Sequence, residues 1–232
     1  MKILAVDSRI TKEILENIKK INKEVLLVEE NSLFDKAVCG HPDMNFLQIK
    51  DRIFTFSNTN VRYFDTVPIE NATIGTLYYP HDVKLNAACI GNDFICRKVS
   101  VAREALEYAQ KIGLNVINVN QGYVKCNIAV VSEQDKAVIT EDEGISAVLN
   151  EYGYNVLLLK KHEINLFPYS YGFIGGASGK IGDTLYFTGD VTKHSEYSSI
   201  KSFCAKFDVK ISSLSKDAMY DYGSIVELDV KK

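Results

Sequence analysis

The sequence predicts an α/β fold in which five strand–strand–helix–strand units close into a ring. Three observations lead to this prediction. A four-residue pattern, apolar–charged–apolar–Asn, begins at Pro42 and returns twice at intervals of 41 residues. Short β-rich runs follow each copy, and the later copies continue with a helical pattern and a further strand. The segments left over at the two chain ends combine into one more unit of the same kind.

Each of three units is predicted to open with a strand pair. The copies of the four-residue pattern occupy residues 42–45, 83–86 and 124–127. A strand-like run follows each copy, over residues 46–49, 87–90 and 128–131. After a polar turn comes a second run, over residues 53–56, 94–96 and 137–140. Short β-rich runs bounded by turn residues are typical of paired strands.

The second halves of these units carry helical patterns. Apolar residues recur at helical spacing over residues 101–112 and 144–152, and Gly113 and Gly153 follow at the usual C-capping position. Thr140 and Glu143 match a capping box at the start of the second helix. Strands are predicted over residues 115–119 and 155–159. The first unit shows no clear helix, so residues 57–71 are expected to form a loop before a strand over 72–79.

The last two units complete the predicted ring. A fourth unit has strands over residues 177–181 and 184–188, a helix over 193–207 and a strand over 209–214. The remaining strand, residues 223–230, is joined by a strand over 2–6, a helix over 11–20 and a strand over 24–29. Closure leaves no unpaired sheet edge. The chain is therefore expected to form one domain over residues 1–232, with two ordinary α/β lobes as the alternative interpretation.

Composition narrows the class of protein. The net charge is −3 over 232 residues, which argues against broad nucleic-acid or membrane-surface binding. No signal peptide or membrane-spanning run is recognised, so we expect a cytoplasmic protein. The five cysteines show no CxxC spacing, and no metal or cofactor motif is present. We therefore expect no metal, no cofactor, no nucleic-acid partner and no membrane partner, and the oligomeric state stays open.

A ring of five such units resembles the pentein fold, the five-bladed α/β-propeller of guanidino-group-modifying enzymes with pseudo-fivefold symmetry. Members include deiminases, dimethylarginine dimethylaminohydrolases, amidinotransferases and the non-enzymatic translation initiation factor 6 family. The segment from Ile174 to Gly189 resembles a stretch of the hydrolases in which two glycines precede an acidic residue and a strand pair. Here Ala177 occupies the acidic position.

The resemblance departs from the enzymes at two further places. Their nucleophilic cysteine lies in the last unit, but this chain has no cysteine after Cys204. Their general-base histidine lies late in the chain, whereas His162 and His194 do not begin an inner strand. The chain more closely resembles uncharacterised bacterial members. The motifs that carry this resemblance are His-Pro-Asp at 41–43, Lys-Cys-Asn at 125–127 and Gly-Phe-Ile-Gly-Gly-Ala-Ser-Gly at 172–179.

The repeated pattern predicts a polar central channel. If the first strand of each unit borders the channel, two sets of equivalent residues share its inner face. The sets are Asp43, Lys84 and Lys125, and Asn45, Asn86 and Asn127. The aspartate would bind a guanidinium or amine and the lysines a substrate carboxylate, with the asparagines as further substrate-binding residues. The alternative is a salt-bridged network that only holds the ring together.

Cys126 is the candidate nucleophile, because a thiolate beside Lys125 would have a lowered pKa. His41 is the candidate general base, and Cys39 is an alternative nucleophile since an extended Cys-Gly-His would place both side chains on one face. The opposite interpretation is that Cys126 packs structurally with the apolar residues of the repeat. The periodicity places His81 near the channel mouth with His41.

The glycine-rich run at 175–180 does not match a phosphate-binding loop. Its glycines are expected to allow close backbone approach at the ring centre, with Ser178 available to a ligand. The alternating aromatic residues Phe167, Tyr169, Tyr171 and Phe173 would form either a pocket wall or a packed strand edge.

Two functions remain open from the sequence. One is a cysteine-dependent hydrolase or transferase acting on a guanidino or amidino small molecule, with Cys126, His41 and Asp43 as catalytic residues. The other is a non-catalytic protein that binds a protein or ribosomal partner, as the initiation factor 6 resemblance implies.

Overall fold

The computed structural model describes residues 1–22, 24–57, 59, 64–69, 76–160 and 162–230. Five three-stranded sheets lie within them, as the sequence predicts. The inner strands are β3 (Phe46–Ile49), β6 (Ala88–Ile90), β9 (Ala129–Ser132), β12 (Ser178–Ile181) and β15 (Val226–Asp229). The middle strands are β4 (Arg52–Phe56), β7 (Asp93–Cys96), β10 (Ala137–Thr140), β13 (Thr184–Phe187) and β1 (Lys2–Asp7). The outer strands are β5 (Val67–Ile69), β8 (Asn115–Asn118), β11 (Asn155–Leu158), β14 (Lys210–Ser213) and β2 (Val25–Val28).

Every sheet has the same pairing pattern. The middle strand pairs antiparallel with the inner strand and parallel with the outer strand. A parallel pair needs a crossover connection, and four of the sheets use a helix for it. These helices are α1 (Lys12–Ile21), α3 (Arg103–Lys111), α5 (Glu143–Glu151) and α6 (Tyr197–Lys206).

Local sequence signals begin and end these helices. Gly113 and Gly153 follow α3 and α5 with φ angles of 77° and 76°, a left-handed conformation that glycine adopts without strain. The expected capping box of Thr140 and Glu143 is wrong. The N-cap of α5 is Asp142, whose side chain accepts a hydrogen bond from the Ile145 amide at 2.7 Å.

The chain ends build one sheet together, as predicted. Strand β1 pairs antiparallel with β15, so that Lys2 lies opposite Asp229. The Gln48 side chain of β3 then exchanges hydrogen bonds with the Asp229 backbone. Inner strands also touch between β3 and β6, β9 and β12, and β12 and β15. The five sheets thereby surround one cavity of about 550 Å³, the polar cavity, which all five inner strands line.

The four-residue repeats are not strand segments, which corrects the sequence prediction. Pro42–Asn45 forms the short helix α2 and Val124–Asn127 forms the short helix α4, while residues 82–85 form turns. Four residues make about one helical turn, which is too short to show a helical periodicity in the sequence. The alternation argument therefore fails, since residues two positions apart on such a turn do not share a face.

The third strand of the first sheet is also placed differently. The sequence predicts a loop over residues 57–71 and a strand over 72–79. Strand β5 instead occupies Val67–Ile69, inside the predicted loop. Residues 58, 60–63 and 70–75 lie outside the described residues, and residues 76–79 are not in a strand. Among the described residues, no helix is both long and apolar enough to cross a bilayer.

The glycine run at the ring centre is packed against backbone, as the sequence predicts. A Cβ atom on Gly175 would stand 2.5 Å from the carbonyl oxygens of both Lys125 and Cys126. The next residue, Gly176, donates its amide hydrogen to the Cys126 carbonyl at 2.8 Å. The fourth unit therefore rests directly on helix α4 of the third.

We expect Gly175→Ala to lower the free energy of unfolding by about 2–3 kcal/mol, because backbone atoms must move to admit the methyl group. Urea denaturation followed by circular dichroism measures this change. The control is Gly144→Ala in helix α5, where the added Cβ meets only the Asp142 carboxylate at 3.2 Å. That variant should stay within about 1 kcal/mol of the native protein. Equal stabilities for the two variants would contradict the close approach.

Candidate functional site

Two cavities meet at a layer of polar side chains in the middle of the ring. Asp43 and Lys125 line the polar cavity. Cys126 lines a second space of about 530 Å³, the aromatic cavity, together with His41 and Asp221. The Cys126 thiol and an Asp43 carboxylate oxygen are only 3.2 Å apart, so this layer separates the two cavities.

Helix α4 presents Lys125 and Cys126 to opposite cavities. Consecutive residues of a helical turn point about 100° apart, so one side chain faces each space. The Asn86 side-chain oxygen holds the turn in place by accepting from the amides of Lys125, at 2.7 Å, and Cys126, at 3.3 Å. A side chain of the second unit thus positions the thiol of the third.

Asp43 is the centre of the polar layer. Its carboxylate is buried and accepts hydrogen bonds from the Ser224 hydroxyl at 2.7 Å and the Cys126 thiol at 3.2 Å. The Lys125 ammonium donates to the Ser224 hydroxyl at 3.0 Å. Ser224 itself has a φ of 69°, which is uncommon for a residue with a side chain. The four-residue pattern does not predict Ser224, which belongs to none of its copies.

The repeated asparagines support backbone rather than face either cavity. Asn45 donates to the His41 carbonyl at 2.9 Å, and Asn127 donates to the Tyr123 carbonyl at 2.8 Å. In both cases the acceptor lies four residues earlier, which closes the helical turn. Asn86 differs, because its amide nitrogen reaches the Cys126 sulfur at 3.0 Å. Neither cavity is lined by any of the three.

His41 faces a carboxyl group that the sequence analysis did not identify. Its Nδ1 atom lies 3.8 Å from an Asp221 oxygen, and both side chains are about 1% exposed. Neither ring nitrogen of His41 has a hydrogen-bond partner among the described residues. The Asp221 carboxylate accepts from the amides of Phe173 and Gly223 at 3.0 and 2.9 Å. Burial raises the pKa of Asp221, while His41 acts in the opposite direction.

The Cys126 thiol is held in its neutral form. Burial raises its pKa well above the ordinary value, and the charges of Asp43 and Asp221 raise it further. The sequence predicts that Lys125 lowers this pKa. The net shift is in the opposite direction, because burial and the charges of Asp43 and Asp221 dominate the pKa of Cys126, and the Lys125 ammonium turns toward Ser224.

Aromatic rings form the walls of the aromatic cavity. Tyr79 and Tyr123 stack with ring centroids 5.7 Å apart, and Tyr123 is followed by Phe173 at 6.1 Å. Of the alternating aromatic residues, Tyr169, Tyr171 and Phe173 line the cavity, as one of the two interpretations expects. Phe167 does not line it and is 81% exposed.

A second buried carboxyl group lies in the wall of the aromatic cavity. Asp82 accepts from the Tyr123 hydroxyl at 2.6 Å through one oxygen. The other oxygen is buried and has no hydrogen-bond partner in the described part of the chain. Burial raises the pKa of Asp82. The third acidic residue in the lining is Asp35.

A buried acid, Glu141, and a histidine, His162, lie behind this wall. Burial raises the pKa of Glu141 to about 7, and one of its oxygens accepts from the Ile174 amide at 2.9 Å. His162 approaches the other oxygen at 3.8 Å and stacks on Tyr171 with centroids 4.3 Å apart. Neither group lines the aromatic cavity. Glu141 contacts its wall through the Ile174 amide, and His162 contacts it through the Tyr171 ring.

Several residues selected from the sequence lie apart from this site. Lys84 and His81 line a separate groove of about 270 Å³, and neither lines the polar cavity or the aromatic cavity. Cys39 is buried in a turn and donates to the Lys36 carbonyl, which places its thiol outside the aromatic cavity. Ser178 lines the polar cavity, and its hydroxyl approaches the Gly175 carbonyl at 3.4 Å.

The described residues contain no group of three or more histidine, cysteine, aspartate or glutamate side chains placed to hold a metal ion. What the aromatic cavity offers is a thiol, an imidazole and buried carboxyl groups around a space with aromatic walls.

Solved structures of dimethylarginine dimethylaminohydrolase share this fold. The enzyme from Pseudomonas aeruginosa, as a cysteine-to-serine mutant complexed with citrulline, aligns with a TM-score of 0.53 at 10% sequence identity. An adduct with 4-chloro-2-hydroxymethylpyridine and an adduct of a histidine-to-glycine variant with S-methyl-L-thiocitrulline give 0.50 and 0.51 at 9% identity. Each similarity covers 92% of this chain and 91% of the other. The chain therefore has the α/β-propeller-like pentein fold.

Sequence comparison gives a family but no described activity. A search of curated proteins finds no match. The family model described as "Family of unknown function (DUF6873)" matches residues 5–226, which is nearly the whole chain. The chain belongs to this family, DUF6873.

Proposed function

We propose that the protein is a cysteine-dependent hydrolase or transferase that acts on the guanidino or amidino carbon of a small molecule bound in the aromatic cavity. One observation carries the proposal: the Cys126 thiol lies at the same cavity surface as His41 and Asp221, beneath walls of aromatic rings. The fold shared with dimethylarginine dimethylaminohydrolase supports it at the level of architecture.

The lining favours a positively charged ligand. Asp35, Asp82 and Asp221 place three carboxyl groups on one cavity. Carboxylates bind guanidinium groups through paired, charge-assisted hydrogen bonds. The faces of tyrosine and phenylalanine rings attract cations as well. A guanidinium or amidinium therefore meets complementary charge at the base and complementary surface along the walls.

Binding of such a cation provides the activation that the free site lacks. In the free protein, carboxylate charges and burial keep Cys126 as a thiol. A positive charge next to the sulfur favours the thiolate and lowers its pKa. The thiol hydrogen already points to Asp43, whose oxygen lies 3.2 Å away and accepts it. The nucleophile is therefore formed when substrate is bound.

Attack of the Cys126 sulfur on the amidine carbon forms a carbon–sulfur bond. The carbon–nitrogen bond to the leaving amine then breaks, and His41 supplies the proton that the amine takes away. In a hydrolase, His41 next removes a proton from water, whose oxygen adds to the same carbon. The carbon–sulfur bond breaks, the sulfur recovers a proton, and the product carries a ureido or amide group. In a transferase, an amine takes the place of water.

A second candidate function is favoured by two strongly exposed aromatic residues. Tyr78 is 71% exposed and Phe167 is 81% exposed, and exposed aromatic residues are enriched in protein interfaces. This candidate is a binding protein for a ribosomal or other protein partner. Co-sedimentation with ribosomes tests this candidate. If Phe167→Ser weakens the binding and Cys126→Ser leaves the binding unchanged, the binding function is favoured over the enzyme.

We expect 2-chloroacetamidine, a cation, to alkylate Cys126 selectively and saturably. The neutral reagent 2-chloroacetamide should react slowly at neutral pH, because the Cys126 pKa is raised and no ligand charge compensates for it. Peptide mapping by mass spectrometry identifies the modified residue. Cys89, which is partly exposed, serves as the internal reference.

The enzyme proposal fails if the cationic reagent gives no preference for Cys126 over Cys89 relative to the neutral reagent. Modification of Cys39 in place of Cys126 would identify Cys39, the alternative candidate from the sequence, as the nucleophile. Cys126→Ser removes the reactive sulfur with little change in size, and its circular dichroism spectrum verifies that the fold is retained.

We expect Asp43→Asn to separate thiol reactivity from turnover. The Asp43 charge raises the Cys126 pKa, so its removal lowers that pKa. Alkylation by 2-chloroacetamide should then rise at neutral pH, and its pH profile should shift to lower pH. Turnover of a guanidino substrate should fall, because the proton acceptor is lost. Asp183→Asn on an exposed turn is the control and should change neither rate. A profile that shifts to higher pH in Asp43→Asn would contradict the arrangement.

A further inference from the structure

We infer that the ligand of the aromatic cavity is a cation without a carboxylate: an amidinium or guanidinium on an apolar or aromatic substituent, and not an amino acid. This inference rests on the proposed function and specifies its substrate class. It is carried by the charges that line the cavity and by where the positively charged side chains of the chain lie instead.

The lining is acidic, and its one basic side chain among the described residues, His41, faces Asp221. Three carboxyl groups line the cavity, and among the described lining residues there is no lysine and no arginine. A substrate carboxylate entering this space would lose its hydration and meet like charge. Amino acids carry both an ammonium and a carboxylate, and the carboxylate would find no lysine or arginine among the described lining residues.

The two lysines that the sequence analysis assigned to a substrate carboxylate lie elsewhere. Lys125 lines the polar cavity and donates to Ser224 on the far side of the central layer. Lys84 lines the separate groove. The Arg97 guanidinium lies 5.5 Å from the Tyr79 ring centroid, but it donates to Ser100 and does not line the cavity.

Unpaired buried atoms in the lining point to a hydrogen-bond donor as the ligand. The second oxygen of Asp82 has no partner in the described residues, and the Asp82 side chain is 6% exposed. A buried carboxylate oxygen left without a donor is costly. An amidinium or guanidinium supplies several N–H donors in one plane, whereas a carboxylate supplies none.

The remaining wall suits an apolar or aromatic substituent. Tyr79, Tyr123, Phe173 and Tyr171 form, in that order, a continuous series of ring contacts. Rings in this arrangement bury the carbon framework of a ligand and attract its charge. The amino acid ligands of the structural neighbours, citrulline and S-methyl-L-thiocitrulline, are therefore poor models for the substrate of this chain.

A matched ligand pair tests the inference. Butylguanidine and 4-guanidinobutyrate share the guanidinium and the carbon chain length, and differ by the carboxylate. We expect butylguanidine to bind at least about tenfold more tightly in isothermal titration calorimetry, since like charges in a desolvated site are strongly unfavourable. The titrations use the full chain, both native and as Cys126→Ser, so that turnover does not distort the heats.

An Asp82→Asn variant, which keeps the shape of the side chain, should narrow the difference between the two ligands. Asp35→Asn, closer to the exterior, provides a second variant if Asp82→Asn does not fold. Equal or tighter binding of 4-guanidinobutyrate would overturn this inference and leave the proposed function standing. Binding of neither ligand at millimolar concentration would overturn the proposed function, and with it the substrate class.

Discussion

The buried carboxylate of Asp43 is the group on which the centre of the ring depends. A charge taken out of water must be given hydrogen-bond donors, and Asp43 receives them from Ser224 of the fifth unit and Cys126 of the third. The second unit adds the Asn86 side chain, which donates to the Asp43 carbonyl. The fourth supplies the Gly175 carbonyl oxygen, which lies 2.9 Å from the Ser224 hydroxyl oxygen. All five units therefore meet in one hydrogen-bonded layer.

The same layer determines how the candidate nucleophile behaves. Because Asp43 and Asp221 flank Cys126, the thiol stays protonated until positive charge arrives. A cysteine kept in this state is protected from nonspecific alkylation and oxidation, which proceed through the thiolate. Stability and reactivity are coupled here, since the carboxylate that holds the units together also suppresses the thiolate in the free protein.

The sequence predicts the strands well because their apolar patterns repeat and turn residues bound them. The bounds of β3 and β10 are the predicted ones, and the fifth sheet is assembled from both ends as expected. The sequence predicts strands at the four-residue repeats, and this prediction is wrong because a single helical turn leaves no periodic pattern. Lys84 shows the consequence: its copy of the pattern lies in turns rather than a helix, and its side chain lines a separate groove. Asp221 and Ser224 belong to no copy of the repeated pattern, so the repeat does not predict them as site residues.

The pairing of β1 with β15 also affects the order in which the protein folds. Ser224 and Asp221 lie just before β15, and β15 is held by a strand that begins at Lys2. Contacts between residues so far apart in the chain form late, because a long loop must close before they contribute stability. A growing polypeptide can assemble the second, third and fourth sheets from local segments, but the Asp43 carboxylate lacks the Ser224 hydroxyl as a donor until the final strand docks. Completion of the ring and formation of the site are therefore the same event, so a partly synthesised or misfolded chain does not present an assembled thiol site.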